Sequence, residues 1–116
     1  MENEKIFVPE IRQIDKNKIV EYLLHAVNSR GKAEFFFRYG FQLSKWQNLQ
    51  DALFDHALCN PVTSVVVSAH GTKYSVVGPM STPGKREPRP LVCAVWQQDI
   101  GKDFVRLITA YPSKEQ

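Results

Sequence analysis

The sequence predicts an α+β domain, with about three helices in its first half packed on a four-stranded antiparallel β-meander in its second. Three observations carry this expectation. Apolar residues recur at helical spacing as far as Asn60-Pro61, the residues beyond are β-branched and alternate, and the two kinds of segment do not interleave as βαβ units would. A chain of 116 residues buries one core comfortably but hardly two, so a single domain over 1–116 is expected, its helical part about 15–60 and its sheet about 63–112.

The elements follow in order. Asp15 is placed to cap a helix from about Lys16, where Ile19, Leu23 and Ala26 share a face until Asn28-Ser29-Arg30-Gly31 breaks it. Lys32 to Tyr39, rich in Phe, forms a short second helix that Gly40 terminates in a left-handed conformation. Ser44 is expected to cap a third helix, whose stripe of Leu49, Ala52, Leu53 and His56 runs to Asn60-Pro61. Proline ends it, because the residue before a proline avoids helical geometry and proline has no N–H to donate.

Ser64 to Ala69 and Lys73 to Val77 then read as a hairpin turning at His70-Gly71. A loop from Gly78 to Pro90 holds Pro83-Gly84, suited to a type II turn. Strands at Leu91 to Gln97 and Phe104 to Tyr111, linked through Asp99 to Lys102, complete a meander with short connections. Residues 113–116 carry nothing apolar and are expected to fray.

Composition narrows the function classes. The apolar fraction of 43% and charged fraction of 23% are those of a globular protein. The polar start, Met1-Glu2-Asn3-Glu4-Lys5, leads into no apolar signal segment, and no stretch is long enough to cross a bilayer, so a cytoplasmic chain without membrane contact is expected. Cys59 and Cys93 make neither a disulfide framework nor a metal cluster, so no metal or other cofactor is expected. The net charge of +3 is mild, but Lys73, Lys85, Arg86, Arg89, Lys102 and Arg106 concentrate cations in the sheet half, where a polyanion would bind.

The glycines are too scattered for a P-loop or a dinucleotide fingerprint, and hydrolase, metalloprotease and redox motifs are missing. Single residues remain. His56 stands out because imidazole exchanges a proton near neutral pH, although a buried, hydrogen-bonded histidine near a helix C-terminus has the same pattern. His25 and His70 fall on a polar helix face and in a turn. Strand alternation places Val105, Leu107, Thr109 and Tyr111 on one face and Arg106 on the other, so Thr109 and Tyr111 could hold a phosphate together, or simply serve as good strand formers. Lys85, Arg86 and Arg89 on their proline-stiffened loop could clamp RNA or merely be solvated.

Several clusters together resemble a bacterial family of domains of unknown function: Gly31-Lys32-Ala33 with Phe36, Trp46 with Leu49 and His56, Gly71 with Lys73-Tyr74, Thr82 to Arg86, and Arg106-Leu107-Ile108-Thr109-Ala110-Tyr111-Pro112. Members of that family stand alone, often in cyanobacteria, or close larger secreted polymorphic toxins. The final run is also similar to the last strand of the barnase–EndoU–colicin–RelE class of ribonuclease toxins. The resemblance implies a metal-independent endoribonuclease that turns an RNA phosphodiester into a 2′,3′-cyclic phosphate, with a cognate antitoxin or immunity-type protein as partner. It implies His56 as general base or acid, Lys73 as charge stabiliser, Thr109 and Tyr111 as phosphate holders, and Lys85, Arg86 and Arg89 as substrate contacts.

Two rival readings follow from the residues. One is a non-catalytic interaction module docking through the aromatics Phe35, Phe36, Phe37 and Trp46; the other is an RNA-binding domain that uses the basic loop without cutting. A polar cleft joining His56 to Thr109 would favour the enzyme, and a contiguous exposed apolar patch the interaction module.

Overall fold

A computed structural model of the chain describes residues 5–29 and 31–114. The architecture is α+β, with a mixed sheet of five strands where four antiparallel ones were expected. The extra strand, β1 (Arg12–Gln13), pairs in parallel with the last strand; two residues are too few to show a strand period in the sequence. The other strands are β2 (Ser64–Ser68), β3 (Gly71–Pro79), β4 (Leu91–Asp99) and β5 (Val105–Pro112), and the order across the sheet is β1-β5-β4-β3-β2.

The first helix is shorter than its apolar spacing suggested. Asp15 does cap it, accepting a hydrogen bond from the Asn17 N–H at 2.9 Å, but α1 (Lys16–Lys18) passes at once into a π-helical turn, Ile19–Leu23. The wider turn points both Ile19 and Leu23 into the core and leaves Ala26 in solvent. The second helix, α2 (Lys32–Arg38), ends at Gly40 with φ 97°, the left-handed terminator expected there. Ser44 caps nothing; it lies in a 3₁₀ turn, Leu43–Lys45, ahead of α3 (Trp46–Cys59), which stops at Asn60-Pro61.

In the hairpin, Ser68 faces Gly71, so the turn residues are Ala69 and His70, one position earlier than expected. Gly71 has φ 133°, and a Cβ there would run into the Gln98 carbonyl oxygen of β4. The Thr82 to Lys85 turn closes with a 3.0 Å backbone bond, but positive φ falls on Lys85 at 51° and not on Gly84, so it is not type II. Ser113 donates its N–H to the Leu91 carbonyl at 2.9 Å, while the last two residues expected to fray lie outside those described.

One face of the sheet is covered. Val76 of β3, Val92, Ala94 and Trp96 of β4, and Val105, Leu107 and Ala110 of β5 meet Leu49, Leu53 and Ala57 of α3, Leu23 and Phe36 in a continuous core. The helical aromatics mostly serve it: Phe36 is buried edge-on to Phe41, Phe35 and Trp46 pack against it, and Phe37 is exposed. Among the described residues no helix is long and apolar enough to cross a membrane.

Candidate functional site

His56 lies inside this core, 1% exposed. Its position on α3 follows from the stripe that the sequence shows, which turns Leu49, Leu53 and His56 toward the sheet. Nε2 sits 3.1 Å from the Gly78 carbonyl and 2.9 Å from the Val92 carbonyl, a facing pair on β3 and β4. Two acceptors on one nitrogen require Nε2 to carry the proton, so the ring donates to both. Nδ1 is buried without a hydrogen-bond partner, and burial pushes the pKa of the imidazole down despite the two carbonyls, which pull the other way. A neutral imidazole clasps the helix to the sheet here.

Thr109 and Tyr111 are on the other face. Directly opposed residues of an antiparallel pair share a face, and these two oppose Val95 and Cys93, whose neighbours Ala94 and Trp96 point into the core. The expectation that His56, Thr109 and Tyr111 line one cleft is therefore corrected: the sheet separates the imidazole from the two strand residues. His56 has no route to a substrate held by them.

A bulge corrects a second expectation. Val95 faces Thr109 while Trp96 faces Leu107, so Ile108 is unopposed and the alternation of β5 shifts by one residue. Arg106, opposite Gln97, thereby joins Thr109 and Tyr111 on the open face, and Val105 and Leu107 stay in the core with Ala110. Arg106 is occupied, with Nε 2.7 Å from Asp99 Oδ2; that ion pair lowers the Asp99 pKa and raises that of Arg106. Lys73 opposes Gln97 on the same face and is exposed. It lies two strands and two residues from Thr109, roughly 12 Å by strand geometry.

The structure brings other groups to Thr109. Tyr22, in the π-helical turn, accepts a 2.8 Å hydrogen bond from Lys32 Nζ at the start of α2. The same ammonium is 5.0 Å from the Tyr22 ring centroid, and Lys18 Nζ is 5.1 Å away. The Thr109 hydroxyl is buried beside the phenol, close enough to influence it but in no well-directed hydrogen bond to any group. Lys32 first and Thr109 second pull the phenol pKa below its ordinary value, and partial burial opposes them. The result is a phenol flanked by two ammonium groups, in a pocket that Asp15 and Glu21 also line. Tyr111 differs: the adjacent Cys93 thiol, and then burial, push its phenol pKa up.

The basic loop divides. Lys85 and Arg89 line a pocket of about 320 Å³ with Ser81, Thr82 and Glu87. Arg86 instead donates to the Arg38 carbonyl at 3.0 Å and stacks 4.7 Å from the Tyr39 ring centroid, strapping the loop to the end of α2. A neighbouring pocket of about 330 Å³ between the loop and α3 is lined by Asp51 and Asp55 and is unsuited to an anion. Among the described residues no group of three or more His, Cys, Asp or Glu is placed to hold a metal ion.

The sequence matches a family described as a domain of unknown function, DUF6883, over residues 8–114. The chain belongs to that family. No curated protein and no solved structure matches it. The groups around Thr109 and those of the basic loop lie within the matched span of the DUF6883 domain, including the three that sequence reasoning passed over, Lys18, Tyr22 and Lys32. Part of their signal was readable: Lys18 and Tyr22 are four apart, the spacing at which helical side chains meet. Lys32 was not, because it arrives from a different helix of the DUF6883 domain after a reversal of the chain.

Proposed function

We propose that the domain is a metal-independent endoribonuclease whose acid–base group is Tyr22 in place of His56. The observation that carries this reading is the 2.8 Å contact between Lys32 Nζ and the Tyr22 hydroxyl, with the Thr109 hydroxyl beside them. Cleavage by internal transfer needs a base, anion stabilisers and a held phosphate, and no cofactor. The Tyr22 phenolate takes the proton of the ribose 2′-hydroxyl. The freed oxygen attacks the adjacent phosphorus, the bond to the 5′-oxygen breaks, and that oxygen leaves with a proton from solvent. Lys32 and Lys18 offset the charge that grows on the phosphoryl oxygens.

The remaining residues fit around this centre. Lys32 holds the phenol with Thr109 beside it, and the exposed Tyr111 offers a ring on which an unpaired base can stack. Lys85 and Arg89 are phosphate contacts away from the centre, reached along α2: Lys32 opens that helix and Arg86 straps the loop to its far end, about 10 Å away at 1.5 Å per residue. The resemblance of Arg106 to Pro112 to ribonuclease-toxin strands supports the substrate class.

Tyr22→Phe keeps the ring and removes the hydroxyl. Cleavage of a mixed RNA substrate is expected to fall about 10²- to 10⁴-fold, the usual share of a general acid–base group, with urea unfolding nearly unchanged. A folded Tyr22→Phe variant that cuts as fast as wild type would dismiss Tyr22 as the acid–base group. A wild-type protein that cuts no cellular RNA would end the nuclease reading altogether.

A further inference from the structure

The two edges of the sheet are treated differently. On one side β1 is only two residues long, and its Arg12 guanidinium turns back to the Val8 carbonyl at 2.8 Å. On the other, β2 has all five residues exposed, with Val65 at 46%, Val66 at 57% and Val67 at 75%. Three consecutive exposed valines on an open edge are unusual in a monomer, because every second N–H and C=O of that edge points away from β3 toward any strand that arrives. Ile6 covers the edge just before β2, where its carbonyl accepts the Val62 N–H at 2.6 Å, but the strand itself lacks the usual protections. It has no lysine, no proline and no bulge, and its five residues pair with β3 in unbroken register.

We propose that β2 is a homodimer interface, in which two copies of this chain pair β2 with β2 in antiparallel fashion about a two-fold axis at Val66, joining their sheets into one of ten strands. The occupant is argued from the strand itself. Ser64-Val65-Val66-Val67-Ser68 reads the same in both directions, so an antiparallel copy centred on Val66 sets Val66 against Val66, Val65 against Val67 and Ser64 against Ser68. A two-fold interface must be complementary to itself, and this strand is. The four copies of Val65 and Val67 would share the helix-side face, apolar against apolar. On the open face, two Val66 side chains would be flanked by serines on either side.

Charge permits the same pairing. From Pro61 to Thr72 the chain carries no ionisable side chain except His70, which lies in the turn beyond the strand; the cation brought beside β2 is Lys5, near Ser64 and Val65 at its start and away from the axis at Val66, so two copies with a formal charge of +3 each set no like charges face to face on that axis. Lys73 sits one strand inward, opposite Val66, and the two Lys73 of a dimer would be three strand spacings apart, about 14 Å, beyond a Debye length at physiological salt. The Tyr22 centre lies at the β5 side of the sheet, so pairing at β2 leaves it open.

The test combines mass with register. Sedimentation of the wild-type chain is expected to show a dimer that dissociates on dilution, and Val66→Lys, which sets two ammonium groups face to face on the axis, is expected to sediment at half that mass with unchanged circular dichroism. In a Cys59→Ser background, Val66→Cys is expected to crosslink to itself under mild oxidation, since opposed Cα atoms in such a pair are about 4.5–5.5 Å apart, within disulfide reach. Ser64→Cys is expected to crosslink to Ser68→Cys on mixing and not to itself. A wild-type chain that stays monomeric up to about 1 mM overturns the proposal, as does a Val66→Lys dimer. Self-crosslinking of Ser64→Cys as fast as Val66→Cys also overturns it, because the axis would then lie elsewhere.

Discussion

His56→Ala is the substitution on which a catalytic and a structural histidine differ most. The ring is 1% exposed, and its Nε2–H is the donor to both Gly78 and Val92 carbonyls. Removing it deletes a buried side chain, which typically costs about 2–5 kcal/mol, and takes a donor from buried acceptors, at about 1–3 kcal/mol for a group left unsatisfied. The two overlap, so a net loss of roughly 3–5 kcal/mol is expected, a large part of the ~5–15 kcal/mol that holds a domain together. At about 4 °C per kcal/mol for a domain of this size, the melting temperature should fall by roughly 12–20 °C. His56→Gln, whose amide still donates, should recover about half. Urea unfolding followed by tryptophan fluorescence and far-UV circular dichroism measures both. If His56→Ala unfolds within about 1 kcal/mol of wild type while RNA cleavage collapses, the histidine does chemistry and the structural account is wrong.

Three further outcomes follow. Because burial holds the His56 pKa below its ordinary value, the unfolded chain binds that proton first; stability is complete above about pH 6.5 and declines as pH falls from there toward the depressed folded value, by at most about 1.4 kcal/mol per unit from this group. His56→Gln should flatten that part of the urea-midpoint profile, and an unchanged slope would assign the acid sensitivity to other residues. In Lys32→Met, the loss of the hydrogen bond that most lowers the Tyr22 phenol should move the alkaline rise of cleavage rate to higher pH, and a limb that stays in place would separate Tyr22 from it. Gly78→Ala should destabilise by roughly 1–3 kcal/mol, since its Cβ would collide with the Asn60 side chain, which ties the end of α3 to β3 through the His56 and Pro79 carbonyls; urea unfolding at wild-type stability would show that Asn60 can move aside.

Much of the fold was legible because the period of the apolar residues switches cleanly at Asn60-Pro61, and because Asp15, Gly40 and Pro61 punctuate helices by local chemistry. Strand β1 was hidden, since two residues carry no period and their pairing depends on a partner far along the chain. The open face of β5 was misread for a different reason: alternation assumes an unbroken ladder, and the bulge at Ile108 moves Arg106 to the side of Thr109. For His56 the stripe correctly showed the direction of the ring, toward the sheet. It could not show that Thr109 and Tyr111 leave the sheet on its far side, because relative facing is a property of the assembled ladder. Lys32 reached Tyr22 through a turn whose geometry no local pattern specifies.

The position of β5 bears on how the molecule comes into being. Of the five strands of this sheet it is the last to be synthesised, yet it lies inside the sheet, between β4 and β1, and supplies Val105, Leu107 and Ala110 to the core. A nascent chain that has emerged only as far as β4 has α3 and a three-stranded meander, but β1 has no neighbour and Tyr22 lacks Thr109 beside it. Pairing of Arg12 with Val105 closes a loop of most of the chain, a contact that must form late. The sheet is thus completed, and the proposed centre assembled, only once translation has passed Pro112.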